Sequence, residues 1–212
     1  MKKLNLIFAV AMVMGAQSLF AQDNNDTNQA SHALTVDVPE VAIIDIYDAS
    51  TGTEAGPITM DMDNVTRVAN NNSEAGLYAF GDERYSSLYL NYTSVVGASG
   101  TTFDQVRSID VKLETGSELP GSVDFVITPS AATIDPMGGD ASSRGVVKPA
   151  AKFGVTTPIN TSVMLVENIK SIYTGDGAKG VQLEYSLEQN GNFSAYKADT
   201  YTASVLYTIS DL

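Results

Sequence analysis

The sequence predicts an all-β protein: a two-sheet antiparallel β-sandwich preceded by a signal-peptide helix. Three observations predict it. Apolar residues recur with a period of two along most of the chain, the repeat of strands with one buried face. Clusters of Gly, Asn, Asp and Pro break that repeat at short intervals, as turns between strands do. Beyond the first 21 residues, no window of about eleven residues carries a helical apolar stripe. About seven to nine strands are therefore expected, enough for a two-sheet sandwich.

The opening segment is of a different kind. Lys2 and Lys3 precede an apolar run from Leu4 to Met14, followed by Gly15, Ala16, Gln17 and Ser18 and then Leu19-Phe20-Ala21 before Gln22. That is the layout of a secretory signal peptide, too short to span a bilayer. The expected organisation is a signal peptide over 1–21, a polar flexible leader over 22–31 and one sandwich domain over 32–212. Removing 21 of the 212 residues leaves 191, enough to bury one sizeable core. No Pro/Ser-rich linker divides them.

Composition narrows the chemistry. The chain has no cysteine, which excludes a thiol nucleophile, a thiolate metal site, a disulfide and a lipidated cysteine at the cleavage point. Its stability has to come from apolar burial and sheet hydrogen bonding. The formal net charge of −13 becomes −15 once the two signal lysines leave. So acidic a chain repels phosphate backbones and anionic headgroups, and nucleic acid is not an expected partner. The charge serves solubility outside the cell or, on a sharper reading, divalent-cation bridging by surface carboxylates.

Leu34, Val36 and Val38 alternate with Thr35 and Asp37, and Ala42, Ile44 and Ile46 continue the phase beyond Pro39. Proline donates no ladder hydrogen bond, so a bend or sheet edge is expected there. Val41 and Ile43 make the second half apolar on both faces, as in a strand buried between layers. Residues 48–82 are irregular apart from a short strand around Ile58, Met60 and Met62. Leu88, Leu90 and Tyr92 share one strand face, as do Ile109, Val111 and Leu113. Pro120-Gly121 marks a turn before Val123, Phe125 and Ile127. Residues 131–148 suggest a long exposed loop, and Ser162, Met164 and Val166 another strand. Val181, Leu183, Tyr185 and Leu187 face one way along the next strand. Asn190-Gly191 then predicts a tight hairpin, since both residues tolerate positive φ, with a short return over Phe193–Lys197. Tyr201, Ala203, Val205, Tyr207 and Ile209 form the closing face.

Candidate chemistry is sparse. His32 is the sole imidazole, and no Gly-x-Ser-x-Gly elbow supplies a serine for it. Ser194-Ala195-Tyr196-Lys197 matches Ser-x-x-Lys, but that motif needs a helix to bring the lysine back beside the serine, and here it falls in an expected hairpin arm. Asp61 and Asp63 in one loop, and Asp135 and Asp140 in another, are the metal-ligand candidates. They offer carboxylates for a loose calcium site without the glycine and closing glutamate of an EF-hand. Tyr173-Thr174-Gly175-Asp176-Gly177 precedes a strand rather than a helix, so its glycines suit a tight loop and not a phosphate cradle. Ten tyrosines stand against no tryptophan. Tyr85, Tyr89 and Tyr92 cluster in one strand, and Tyr196, Tyr201 and Tyr207 near the C-terminus. Their β preference makes most of them sheet residues, while exposed ones would offer stacking platforms.

Three stretches together resemble a group of uncharacterised exported proteins of Bacteroidota. They are Leu90-Asn91-Tyr92-Thr93-Ser94, the run Tyr173–Gly177 leading to Leu183-Glu184-Tyr185-Ser186-Leu187, and the closing Tyr207-Thr208-Ile209-Ser210-Asp211. The Phe-Ala-Gln ending of the signal is similar to that of many exported proteins of the same phylum. The C-terminal half also resembles, more weakly, pilin-like and spore-coat-like sandwich domains, which implies an immunoglobulin-like or pilin-like sandwich. Neither resemblance implies a catalytic residue.

The expected function is an exported, non-enzymatic structural or adhesive module at the cell surface, in the periplasm or beyond the outer membrane. It would act as a subunit of a surface assembly with protein partners or its own copies, with no transmembrane segment in the mature chain. The alternative is a carbohydrate- or calcium-binding module using loops 48–82 and 131–148 with nearby tyrosines; calcium is the sole cofactor either reading entertains. The segment holding Leu34, Val36 and Val38 is expected to pair within its own sheet, or else to complete a neighbour's by strand addition.

Overall fold

A computed structural model describes residues 32–61, 67–68, 77–78, 83–100, 104–195 and 197–211. The expected signal peptide and leader, together with Met62, Asp63 and Tyr196, lie outside the described residues. The chain divides into two units, Met1–Val38 and Pro39–Leu212.

The second unit is all-β, with two antiparallel sheets packed as a sandwich. The larger has seven strands in the order β2 (Thr53–Glu54), β1 (Val41–Asp48), β5 (Arg84–Val95), β12 (Val181–Gln189), β7 (Val123–Ser130) and β9 (Ala151–Phe153), with β11 (Ile172–Tyr173) pairing the far end of β5. The smaller runs β13 (Val205–Asp211), β6 (Arg107–Leu113), β10 (Val163–Ile169) and β8 (Arg144–Val147). A two-residue ribbon joins β3 (Arg67–Val68) to β4 (Leu77–Tyr78).

Strand periodicity builds the core. Leu88, Leu90 and Tyr92 on β5 meet Val181, Leu183, Tyr185 and Leu187 on β12 and Val123, Phe125 and Ile127 on β7. The small sheet closes over them with Ile109, Val111 and Leu113 of β6 and Leu165, Val166 and Ile169 of β10. All these positions are buried, as the alternation predicts on β5, β6, β7 and β12; on β10 the expected Ser162, Met164 and Val166 face is replaced by Leu165, Val166 and Ile169. On β10 the register shifts between Met164 and Val166, which turns neighbours Leu165 and Val166 both inward in place of a strict alternation.

Five expectations need correction. Residues 32–40 form no strand, because β5 ends at Val95 opposite Val41 and offers no ladder for anything earlier. β1 is not buried between layers: Ile44 and Ile46 pack on the core, whereas Ile43 is 59% exposed on the outer face and Ala42 is exposed too. Ile58 and Met60 pack against the core from an irregular segment, not a strand. The stretch 131–148 contains β8 and a short 3-10 turn over Ala141–Ser143. No hairpin follows Asn190, because β5 and β7 already occupy both edges of β12. The chain instead turns at Gly191 (φ +149°), makes a 3-10 turn over Phe193–Ala195 and crosses to β13 in the other sheet.

Candidate functional site: an apolar groove at one end of the sandwich

The two ends of the sandwich are closed by different chemistry. Where β1 begins and β5 and β13 end, the buried Arg107 guanidinium ties four strands together. Its Nε donates to Asp211 Oδ1 at 2.7 Å, and Nη1 donates to the Val95 carbonyl at 2.8 Å and to the Val41 carbonyl. Glu40 lies 3.8 Å from Nη2. The side chain is only 3% exposed, so these partners replace its water.

At the opposite end the sheets part around an apolar groove of about 1160 Å³. Its floor is Ile46 of β1, Leu88 of β5, Tyr185 and Leu187 of β12 and Phe125 of β7, contributed side by side by the large sheet. One wall is Ala203 and Val205 leading into β13; the other is the irregular run holding Pro57, Ile58 and Met60. Asp61, Glu118, Lys197 and Asp199 also line it.

The floor is rigid. Tyr185 meets Phe125 edge-on, with ring centroids 5.0 Å apart at 78°. Its hydroxyl lies 2.8 Å from that of Tyr207, bridging the two sheets. Burial pushes the Tyr185 phenol up to about 12, and burial pushes Tyr207 well above its ordinary value. Beside the groove, buried Asp124 on β7 accepts from the backbone N–H groups of Val155 (2.7 Å) and Thr156 (2.9 Å), the Thr156 hydroxyl and Asn190 Nδ2 (2.7 Å). Burial raises the Asp124 pKa, but those bonds outweigh it and hold the carboxyl below its ordinary value.

The carboxylates singled out for calcium do not converge among the described residues. Asp135 pairs with the Lys179 ammonium and accepts from the Met137 N–H at 2.9 Å, and Lys179 is the main cause of its lowered pKa. Asp140 caps the short turn by accepting from the Ser142 N–H at 2.7 Å. Asp61 lies at the groove, and Asp63 is not described. No group of three or more His, Asp or Glu side chains among the described residues is arranged to hold a metal ion. His32 is exposed in an irregular segment, and Ser194 sits in an exposed turn, its N–H on Asn192.

The glycine-rich loop is a tight turn against β5. Gly175 and Gly177 have φ of +105° and +68°, and Asn91 holds the loop through the Gly177 carbonyl (3.0 Å) and the Gly180 N–H (2.9 Å). A Cβ on Gly180 would stand 2.1 Å from the Leu90 carbonyl oxygen, so only glycine fits. This loop and the outer face of β1 enclose a second, smaller hollow of about 330 Å³. Tyr47, Tyr173, Asp45 and Asp176 line it, and the Tyr173 hydroxyl donates to Asp176 at 2.7 Å.

Sequence reasoning missed Arg107, although a signal was present. Arg107 shares its phase with Ile109, Val111 and Leu113, which puts a guanidinium on the buried face. The groove left no such signal, since seven separate stretches supply its lining. Compared with protein-family models, curated proteins and solved structures, the chain gives no match.

Proposed function

We propose that the mature chain is an exported, non-enzymatic structural module of a cell-surface assembly, working through contact with other protein chains. The segment Leu34–Val38 carries this reading. Leu34, Val36 and Val38 are 80%, 71% and 75% exposed, and they alternate with polar Thr35 and Asp37. Burying such a side chain is worth about 1.5–3 kcal/mol, so the three together are a substantial unspent driving force for association. Their spacing of two suits pairing with a strand edge rather than docking as a helix. Among the described residues, no helix is long and apolar enough to cross a membrane. Export rests on residues 1–21 alone. Mass spectrometry of the secreted protein is expected to start at Gln22, and retention of Met1 to Phe20 would refute it.

Sedimentation of the mature chain over a wide concentration range tests the structural reading. Self-association is expected, and Val36→Asp should abolish it while leaving the fold intact. A chain monomeric at every concentration, with no partner recovered from the cell surface, would overturn the proposal.

A second reading, a carbohydrate-binding module, is favoured by one observation. Tyr47 and Tyr173 line the smaller hollow with the carboxylates of Asp45 and Asp176, pairing stacking faces with hydrogen-bond acceptors. A glycan array that scores binding by the parent chain and loss in Tyr173→Ala would select this reading; an array blank for the parent discards it.

A further inference from the structure

We infer that the smaller hollow, on the outer face of the large sheet, binds an organic ammonium ion: a cationic amine carried on an apolar stem or ring. This assignment is independent of the structural reading above. It shares its place with the carbohydrate reading but adds a condition, positive charge on the ligand.

Strand register cuts the hollow. β1 and β11 flank β5 on either side, and Ile43 and Tyr173 both stand directly opposite Thr93. Two strand spacings of about 4.8 Å separate the flanks, which leaves room for one ring or one alkyl chain over Thr93. Along β1, Asp45 and Tyr47 continue the outer face past Ile43. On the other side the chain runs from Tyr173 through Gly175 and Asp176 to Gly177. A Cβ at Gly177 would lie 3.8 Å from the Tyr47 ring, so the loop meets β1 there. Two phenol rings and two carboxylates thus border a space of about 330 Å³, enough for a small ligand.

The walls are set in advance. The Tyr173 hydroxyl donates to Asp176 at 2.7 Å, and its backbone N–H donates to the Gly138 carbonyl at 2.9 Å. Asn91 pins the loop at Gly177 and Gly180. Little ordering is left for binding to drive.

Charge and hydrogen-bonding capacity select the ligand. The Asp45 carboxylate is exposed and makes no hydrogen bond or ion pair among the described residues, and Asp176 accepts from Tyr173 alone. No Lys or Arg lines the hollow among the described residues, and Lys179 beside the loop is paired with Asp135. Carboxylates only accept, while Tyr173 and Asn91 spend their protons on Asp176 and the Gly177 carbonyl. The Tyr173 phenol is raised by its bond to Asp176, then by burial and by the charges of Asp176 and Asp135, as a negative field requires. A neutral sugar laid here would strip water from two carboxylates and leave their charge uncompensated. An ammonium brings three donors, no acceptor and the opposite charge. Phenol faces within about 6 Å attract such a cation further. Ile43, 59% exposed, offers apolar surface to the stem.

Nα-acetyl-lysine amide is the probe, since the side-chain ammonium is its sole charge, and Nα,Nε-diacetyl-lysine amide is its neutral match. Each is titrated into the isotope-labelled mature chain and followed by amide NMR. Saturable shifts at Asp45, Tyr47, Tyr173 and Asp176 are expected from the first and none from the second. Asp45→Asn should weaken binding about fivefold and Tyr173→Leu about threefold. Glu114→Gln makes the same change in net charge at an exposed residue just beyond β6, and should leave binding unchanged. The amide spectrum of each variant reports its fold in the same experiment.

Glucosamine and N-acetylglucosamine separate the sources of the amine. Binding by glucosamine alone of that pair, tighter than by the lysine derivative, would assign an amino sugar; the reverse ranking would assign a lysine-type side chain. Either supports the inference. Equal shifts from glucosamine and N-acetylglucosamine would overturn it and sustain the carbohydrate reading. Equal weakening by Glu114→Gln and Asp45→Asn would overturn it by showing attraction to the acidic surface as a whole. Absence of shifts from both charged probes, with the parent chain folded, would overturn it outright.

Discussion

The Arg107 end and the groove end of the sandwich are built from the same strands yet are closed by opposite means. At one, a single buried cation holds the starts of β1 and β6 and the ends of β5 and β13 with directed bonds. At the other, apolar side chains face a space that irregular segments border. The difference teaches where this fold tolerates change. Removing a partner from a buried charge leaves the others stranded in a low dielectric, whereas an apolar surface open to a groove can relax or take a guest.

The largest effect at a polar residue should follow Arg107→Ala. It removes the donor that the Val41 and Val95 carbonyls share, leaves the half-exposed Asp211 carboxylate to water, and is expected to lower stability by about 3 kcal/mol in urea unfolding. Lys197→Ala on the groove rim should stay within about 0.5 kcal/mol. Equal effects would erase the distinction between the ends.

Leucine truncations on one strand sharpen it. Leu90 and Leu88 lie two apart on β5, both buried, but only Leu88 lines the groove. Leu90→Ala should cost about 4 kcal/mol by leaving a sealed void, and Leu88→Ala about 3 kcal/mol because its space opens into the groove. The reverse order would mean that the groove is filled in solution.

Asp124 is next. Asp124→Asn turns an acceptor met by four donors into a group with donors of its own, at about 1–3 kcal/mol. The folded carboxyl sits below its unfolded value, so its stabilisation is full above the unfolded pKa of about 3.9 and is lost as pH falls through the folded one. The parent should therefore lose stability in acid more steeply than Asp124→Asn; parallel acid limbs would show that the Asp124 knot does not govern that region. Tyr207→Phe should be the mildest, about 1 kcal/mol, since it removes one hydroxyl and leaves that of Tyr185 unpaired.

Much of the sandwich was legible because β5, β6, β7 and β12 each set an alternating row of apolar side chains on the core, and a period of two is all that such a row needs. The short strands were not. Arg144–Val147 and Ala151–Phe153 hold too few residues for a period to show, and they exist because β10 and β7 offer them an edge. Asn190-Gly191 carried the strongest local turn signal in the chain, yet tertiary pairing overrode its hairpin meaning by filling both edges of β12. The exposed apolar segment could be seen in the sequence as alternation at Leu34, Val36 and Val38. The groove could not, since Ile46, Leu88, Phe125, Tyr185 and Val205 are brought together only by the fold.

The Tyr185–Tyr207 pair also makes the protein its own optical gauge. With no tryptophan, near-ultraviolet absorption belongs chiefly to ten tyrosines. In alkali, burial keeps Tyr92, Tyr185 and Tyr207 protonated to higher pH than an ordinary phenol, whose pKa is about 10. A group held neutral in the fold and ionised when unfolded withdraws its stabilisation as pH climbs past the unfolded value. The tyrosinate band should therefore grow in two stages. The second stage would mark the moment the two sheets come apart, with no dye, label or added chromophore.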